Sequence, residues 1–167
     1  MLAALVVWFE DRREEQRVDR EVQRNDRAAR IAWQRELDFR LLSIIHGALG
    51  RRRYGYRTAL RRLSEIGADT SQNRPKPWRP EKVEVFDSIH DVEDLLLLVK
   101  DSGSLESPFS RWREALAGLD EGPGPQEPRA VPAPEVLAER LVDEATAWRL
   151  LLDASATFLN DRYPDEG

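Results

Sequence analysis

The first fifty residues read MLAALVVWFEDRREEQRVDREVQRNDRAARIAWQRELDFRLLSIIHGALG (1–50) and change character twice. An apolar run, Leu2–Phe9, is followed by a charged stretch, Glu10–Arg30, and apolar residues return from Ile31. No proline interrupts these fifty residues. The pattern therefore predicts one continuous helix over Leu2–Leu49, with Gly50 placed to end it.

The charged stretch has the pattern of a solvated helix. Glu10–Arg30 contains 14 charged residues, seven of each sign, and neither Gly nor Pro. Opposite charges recur three or four positions apart, and each such pair stabilises a helix by about 0.2–0.5 kcal/mol. A thin apolar stripe, interrupted by Asn25, consists of Val18, Val22, Ala29, Trp33 and Leu37. It is typical of a coiled-coil seam with a polar register-setting residue, of a helix lying lightly on a neighbour, or of a mostly solvated helix.

The apolar run Leu2–Phe9 has three interpretations. As a helix it spans only ~12 Å at ~1.5 Å per residue, against a hydrocarbon core of ~30 Å. It is the end of a longer transmembrane helix, a tip that packs on the body or on another copy, or a segment that dips into a membrane surface. The residues predicted to contact a membrane or a partner are Leu2, Leu5, Val6, Trp8 and Phe9.

Three further helices are expected before residue 121. Arg51–Ala68 reads as a helix that folds back on the first one as an antiparallel hairpin. After a proline-rich loop, a central helix begins near Pro80 and ends at Gly103, although the alternating KVEVF (82–86) also allows a short strand. Ser107 and Pro108 then offer an N-cap and first turn for a fourth helix.

The last helix follows a Pro/Gly-rich linker over 122–134 and occupies residues 135–161. Its predicted inner face is Leu137, Leu141, Ala145, Trp148, Leu152, Ser155 and Leu159. The fold class predicted is therefore all-α, a four- to five-helix bundle with a long N-terminal helix projecting from it. Residues 1–30 form the projecting charged helix with its apolar tip, and residues 31–121 form the bundle core.

Composition excludes several classes of active site. The chain has no cysteine and only two histidines, which rules out disulfides, thiolate nucleophiles and cysteine-ligated metals. Its net charge of −5 is unevenly divided, because the first part is basic up to Arg74 and the remainder is acidic. The two parts are therefore expected to attract each other, within one molecule or between copies.

The densest basic segment is Arg51–Arg62, with six arginines, two tyrosines and no acid. Arginine binds phosphate with two parallel hydrogen bonds, and tyrosine stacks on bases, so nucleic acid or another phosphate ligand is one interpretation. The other is pairing of these arginines with the acidic C-terminal helix. The phosphate- or anion-binding candidates are Arg51, Arg52, Arg53, Arg57 and Arg61.

A second candidate site lies in RLLSIIH (Arg40–His46), where five residues separate an arginine from a histidine. This stretch resembles the R-x(4–6)-H signature of HEPN-type ribonucleases, an all-α and usually dimeric family that cleaves RNA. The resemblance implies that His46 is the general acid or base and that Arg40 stabilises the phosphate. The alternative is a structural histidine near a helix end.

His90 lies close to several acids, Asp87, Asp91 and Asp94 among them, and an exposed acidic face explains that cluster better than a metal site. The sequence predicts no metal and no cofactor, since it has no Gly-rich phosphate loop and no nucleophile elbow.

The leading hypothesis is a non-catalytic helical interaction or scaffold protein, cytoplasmic or attached to the inner face of a bacterial membrane. It is expected to form a homo-oligomer or bind a protein partner through its N-terminal helix. The alternative is an RNA-cleaving or RNA-binding bundle that uses Arg40 and His46.

Overall fold

The computed structural model describes residues 2–66, 79–119 and 132–164, without the side chains of residues 2–13, 15, 66 and 79. Within these ranges every regular element is a helix and there is no strand, which confirms the all-α fold class. The chain divides into two compact units, Met1–Asp38 and Phe39–Gly167. The helices are α1 (Leu2–Ser43), a π-helical segment (Ile44–Leu49), α2 (Gly50–Ile66), α3 (Arg79–Leu98), α4 (Gly103–Ala117) and α5 (Pro134–Arg162).

The long N-terminal helix is confirmed, but its predicted end is wrong. Gly50 has helical backbone angles, φ −60° and ψ −43°, so α2 continues directly from the π-helical segment and no hairpin forms there. A glycine ends a helix most readily when it adopts positive φ, and nothing here requires that. Instead, Gly50 lies under Trp148 of α5: a Cβ built on it would be 3.5 Å from Trp148 Cζ2.

The turn between α3 and α4 also differs from expectation. Asp101, at φ 56°, takes the left-handed conformation, and Gly103 begins α4 instead of ending α3. Aspartate tolerates that conformation better than most residues. Pro108 therefore lies inside α4, and the earlier start places Leu105 in the core, fully buried.

The bundle core forms where α4 packs on α5, α3 packs on α2 and on the π-helical segment, and α2 packs on α5. Four apolar residues in and just after α4 are buried: Phe109, Trp112, Leu116 and Leu119. The Leu95–Leu98 run is buried only at its first two residues, since Leu97 is 86% exposed and Leu98 is 54% exposed. α3 therefore presents one face to the core.

The predicted onset of burial at Ile31 is wrong. Ile31, Trp33 and Phe39 are all exposed. Among the described side chains, the first buried ones along the chain are Leu37 and Asp38, followed by Leu41 and Leu42. The predicted proline-rich loop with Trp78, and all but the last residues of the 122–134 linker, lie outside the described residues.

Candidate functional site

A buried carboxylate joins three helices of the bundle. Glu144 of α5 is fully buried and accepts hydrogen bonds on both oxygens. Arg53 of α2 donates through Nε to Oε1 and through Nη2 to Oε2, the latter over 2.8 Å. Arg57, one turn further along α2, donates through Nη1 to Oε2, and Trp112 of α4 donates its indole N–H to Oε1 over 2.7 Å. We call these four residues the Glu144 cluster.

Aromatic rings complete the surroundings of the Glu144 cluster. The Arg53 guanidinium lies 4.9 Å from the ring centroid of Trp148, within cation–π range. Trp148 in turn meets Trp112 edge-on, with centroids 5.0 Å apart. Because removing one partner of a buried ion pair leaves the other charge uncompensated, the cluster is expected to matter for stability by ~3–5 kcal/mol.

The charges around Arg57 do not balance locally. Burial lowers the pKa of Arg57 below its ordinary value, and the positive charges of Arg53 and Arg61 lower it further, while Glu144 opposes both effects. Arginine still remains protonated at neutral pH. One buried carboxylate therefore serves several guanidinium groups, and positive charge remains on this side of α2.

The basic segment 51–62 thus divides by partner. Arg53 and Arg57 pair with the C-terminal helix, the interpretation that the sequence left open beside anion binding. Arg52 reaches α3, donating through Nη1 to Ser88 Oγ over 2.6 Å and to the Glu84 carbonyl oxygen over 3.2 Å. Arg51 and Arg61 are exposed, and anion binding by this segment stays a prediction.

Arg40 and His46 are both exposed. In the part of the chain that the structure describes, no hydrogen bond or ion pair joins them. His46 lies in the π-helical segment, a type of irregularity that is frequent at functional sites. The ribonuclease role implied by the resemblance stays a prediction.

The side chains of residues 16–33 of α1 form a continuous solvated surface. Every residue from 16 to 33 is exposed, including the apolar residues Val18, Val22, Ile31 and Trp33, each at least 52% exposed. An exposed apolar stripe on a long charged helix is a candidate interaction surface. The predicted contact residues of the tip, Leu2, Leu5, Val6, Trp8 and Phe9, have side chains outside the described set.

His90 contacts the backbone of its own helix. His90 Nδ1 lies 2.8 Å from the Phe86 carbonyl oxygen, one turn back on α3, and the described residues contain no group of three ligands suited to a metal ion.

Of the helices within the described ranges, none is long and apolar enough to cross a bilayer.

Sequence reasoning missed Glu144. Four residues of the predicted inner face of α5 are buried: Leu137, Leu141, Trp148 and Ser155. The other three, Ala145, Leu152 and Leu159, are half-buried, and their neighbours Glu144, Leu151 and Phe158 are buried in their place. Glu144 lies three residues after Leu141 and four before Trp148. That spacing was a usable signal, masked by the assumption that a glutamate faces water.

Comparison with known proteins yields no relative. No model of a protein family matches the chain, and no match was found among curated proteins or among solved structures. Function is therefore argued from the residues of this chain alone.

Proposed function

We propose that this chain is a non-catalytic interaction protein that self-associates through residues 14–36 of α1. The observation that carries the proposal is the apolar stripe on a helical stretch whose side chains are exposed from residue 16 to residue 33. Helices gain most of their stability in proteins from packing an amphipathic face, and isolated helices are marginal in water. Pairing with another copy would bury the stripe and supply that packing.

The first part of the stripe fits the alternating spacing of a coiled-coil seam, which continues through Ala32 instead of Trp33. Steps of four and three residues connect Val18, Val22, Asn25, Ala29 and Ala32. These are positions a and d of a heptad, which point into the partner helix of a coiled coil. The small alanines and the polar asparagine predict a modest affinity.

The charges beside this seam favour an antiparallel pair. In a parallel two-stranded coil, residues at position g face residues at position e of the next heptad, which would oppose Glu14 to Asp19 and Glu21 to Asp26. In an antiparallel pair, position g faces position g of the partner and position e faces position e, so Glu14 lies opposite Arg35. The two like-charged contacts of the parallel pair are then replaced by one, between Asp19 and Asp26.

The proposal is tested by measuring molar mass by light scattering over a range of concentrations. The test variant is Val18→Ser with Val22→Ser, which removes seam methyl groups without changing charge. The matched control is Gln16→Ser with Gln23→Ser on the opposite side of the same helix, where both glutamines are exposed.

The full chain and the glutamine control are expected to show a mass that rises with concentration to at least that of a dimer. The valine variant is expected to remain a monomer over the same range. A full chain that stays monomeric at all concentrations would overturn the proposal, and so would equal association in both variants.

The RNA-cleaving alternative on Arg40 and His46 has a separate test. Cleavage of single-stranded RNA by the full chain, lost in His46→Ala, would favour it. The self-association proposal predicts that His46→Ala leaves the molar mass unchanged.

A further inference from the structure

A groove of about 540 Å³ runs between α2 and α5. Its floor is apolar and includes Leu137, Leu141 and Ala145 of α5, of which the two leucines are buried. Cations from both helices flank it: Arg57 and Arg61 of α2, and Arg149 of α5. The volume falls in the range of ~300–1,000 Å³ that is usual for small-molecule sites.

The described residues do not neutralise the charge of the groove. Within the described ranges, Glu65 is the only acidic residue that lines it, against three arginines. Arg57 shares Glu144 with Arg53, whereas Arg61 and Arg149 have no hydrogen-bond or ion-pair partner among the described residues. The positive charge of Arg61 also contributes to lowering the pKa of Arg57, which indicates crowding of like charges. An anion bound to Arg61 would relieve that crowding, and Arg149 lines the same groove.

The apolar floor and the guanidinium groups of the lining together indicate which class of ligand the groove would bind. Guanidinium groups bind phosphate through two parallel hydrogen bonds. Among the described residues of the lining there is no aromatic side chain on which a base could stack, and this argues against single-stranded nucleic acid. We propose that the groove binds a phosphate-headed amphiphile, with the phosphate on Arg61 and Arg149 and a short alkyl chain on the floor.

The test is calorimetric titration of the full chain with octyl phosphate, kept below its micellar concentration. Inorganic phosphate has the same charged group without the tail, and octyl glucoside has the same tail with a neutral head. Arg61→Gln and Arg149→Gln remove one head contact each, and Ala145→Leu fills the floor. Arg111→Gln is the matched control, since Arg111 is exposed on α4 and lies outside the groove.

Saturable binding of one octyl phosphate per chain is expected, weakened at least about tenfold in each groove variant and unchanged in Arg111→Gln. Octyl glucoside and inorganic phosphate are each expected to bind at least about tenfold more weakly. Equal binding of either control compound, or equal weakening by Arg111→Gln, would overturn the proposal, as would no binding at all.

Two further measurements distinguish a lipid from a free ligand as the source of the phosphate, and distinguish this inference from the self-association proposal. Vesicles of phosphatidylcholine with phosphatidic acid, displaced from the protein by octyl phosphate, would identify a lipid headgroup as the natural form of the ligand; unbound vesicles with retained octyl phosphate binding would identify a free ligand. The variant Val18→Ser with Val22→Ser is expected to bind octyl phosphate normally, so failure of self-association leaves this inference standing.

Discussion

Arginine serves two different purposes in residues 16–33 of α1 and in α2. In α1, seven acids balance seven arginines over Glu10–Arg30, and three of the five arginines in residues 16–33 have an acid three or four positions away on the same helix. In α2, Arg53 and Arg57 instead reach a buried carboxylate 91 and 87 residues away. Local pairs support a helix, whereas distant buried pairs hold one helix against another. The same residue type therefore marks a solvated surface in one region and an interior contact in the other.

The largest expected effect comes from breaking the Glu144 cluster. Glu144→Ala is expected to reduce the free energy of unfolding by ~3–5 kcal/mol, because two guanidinium groups and the Trp112 N–H lose their acceptor. Glu144→Gln keeps an acceptor oxygen and is expected to cost about 1.5–3 kcal/mol. Urea denaturation followed by circular dichroism measures both.

Glu139→Ala is the control, since Glu139 lies exposed on the same helix. Its effect should remain within about 0.5 kcal/mol. If Glu144→Ala and Glu139→Ala were equally mild, the Glu144 cluster would not be an organising contact of the bundle.

The tryptophans sharpen the comparison between the regions. Trp112 is fully buried, so Trp112→Ala is expected to cost ~3–5 kcal/mol of unfolding free energy. Trp33 is 54% exposed, and Trp33→Ala should change the unfolding free energy by no more than about 0.5 kcal/mol. Urea titration of each variant at low protein concentration, with the wild-type chain alongside, makes the measurement. A large loss from Trp33→Ala would place that side chain in the folded core.

A smaller gain is expected from Asn25→Val in α1. If Asn25 lies in the proposed seam, a valine there adds about 1.5 kcal/mol of apolar burial per chain, which is about 3 kcal/mol per dimer or about 150-fold in the dissociation constant. Sedimentation equilibrium measures it, with Gln23→Val as the control outside the seam. Equal tightening by the two variants would assign the effect to general hydrophobicity rather than to the seam.

The smallest expected effect concerns Gly50. Because its backbone is helical and a Cβ would make ordinary contacts, Gly50→Ala should raise the free energy of unfolding by about 0.5–1 kcal/mol. Thermal and urea denaturation measure the change. Destabilisation would show that the close approach of Trp148 leaves no room for a methyl group.

The helices themselves could be predicted from sequence because long periodic segments without proline leave few alternatives. α3 and α5 begin within two residues of Pro80 and residue 135, where prolines suited to a first turn occur. The glycines were harder to interpret. The sequence does not show whether Gly50 or Gly103 adopts the left-handed conformation that ends a helix. In the structure, Asp101 adopts it instead.

The Glu144 cluster is harder to predict from the sequence than the helices are. The prediction chose Ala145 where the neighbouring Glu144 is buried, since hydropathy alone assigns a glutamate to the surface. Only three-dimensional packing brings Arg53, Arg57 and Trp112 to one carboxylate from three helices. Likewise, no local sequence pattern shows that Ile31 and Trp33 are exposed, because apolar residues at helical spacing look the same on a buried face.

The most direct test of the central claim is amide hydrogen exchange of the full chain at several concentrations, read separately for residues 16–33 and for the bundle helices. A helix that self-associates becomes protected as concentration rises, while a solvated single helix exchanges rapidly throughout. The account predicts that protection of residues 16–33 increases with concentration, that protection of α3 to α5 does not, and that Val18→Ser with Val22→Ser abolishes the increase. Exchange in residues 16–33 that is the same at every concentration would contradict it.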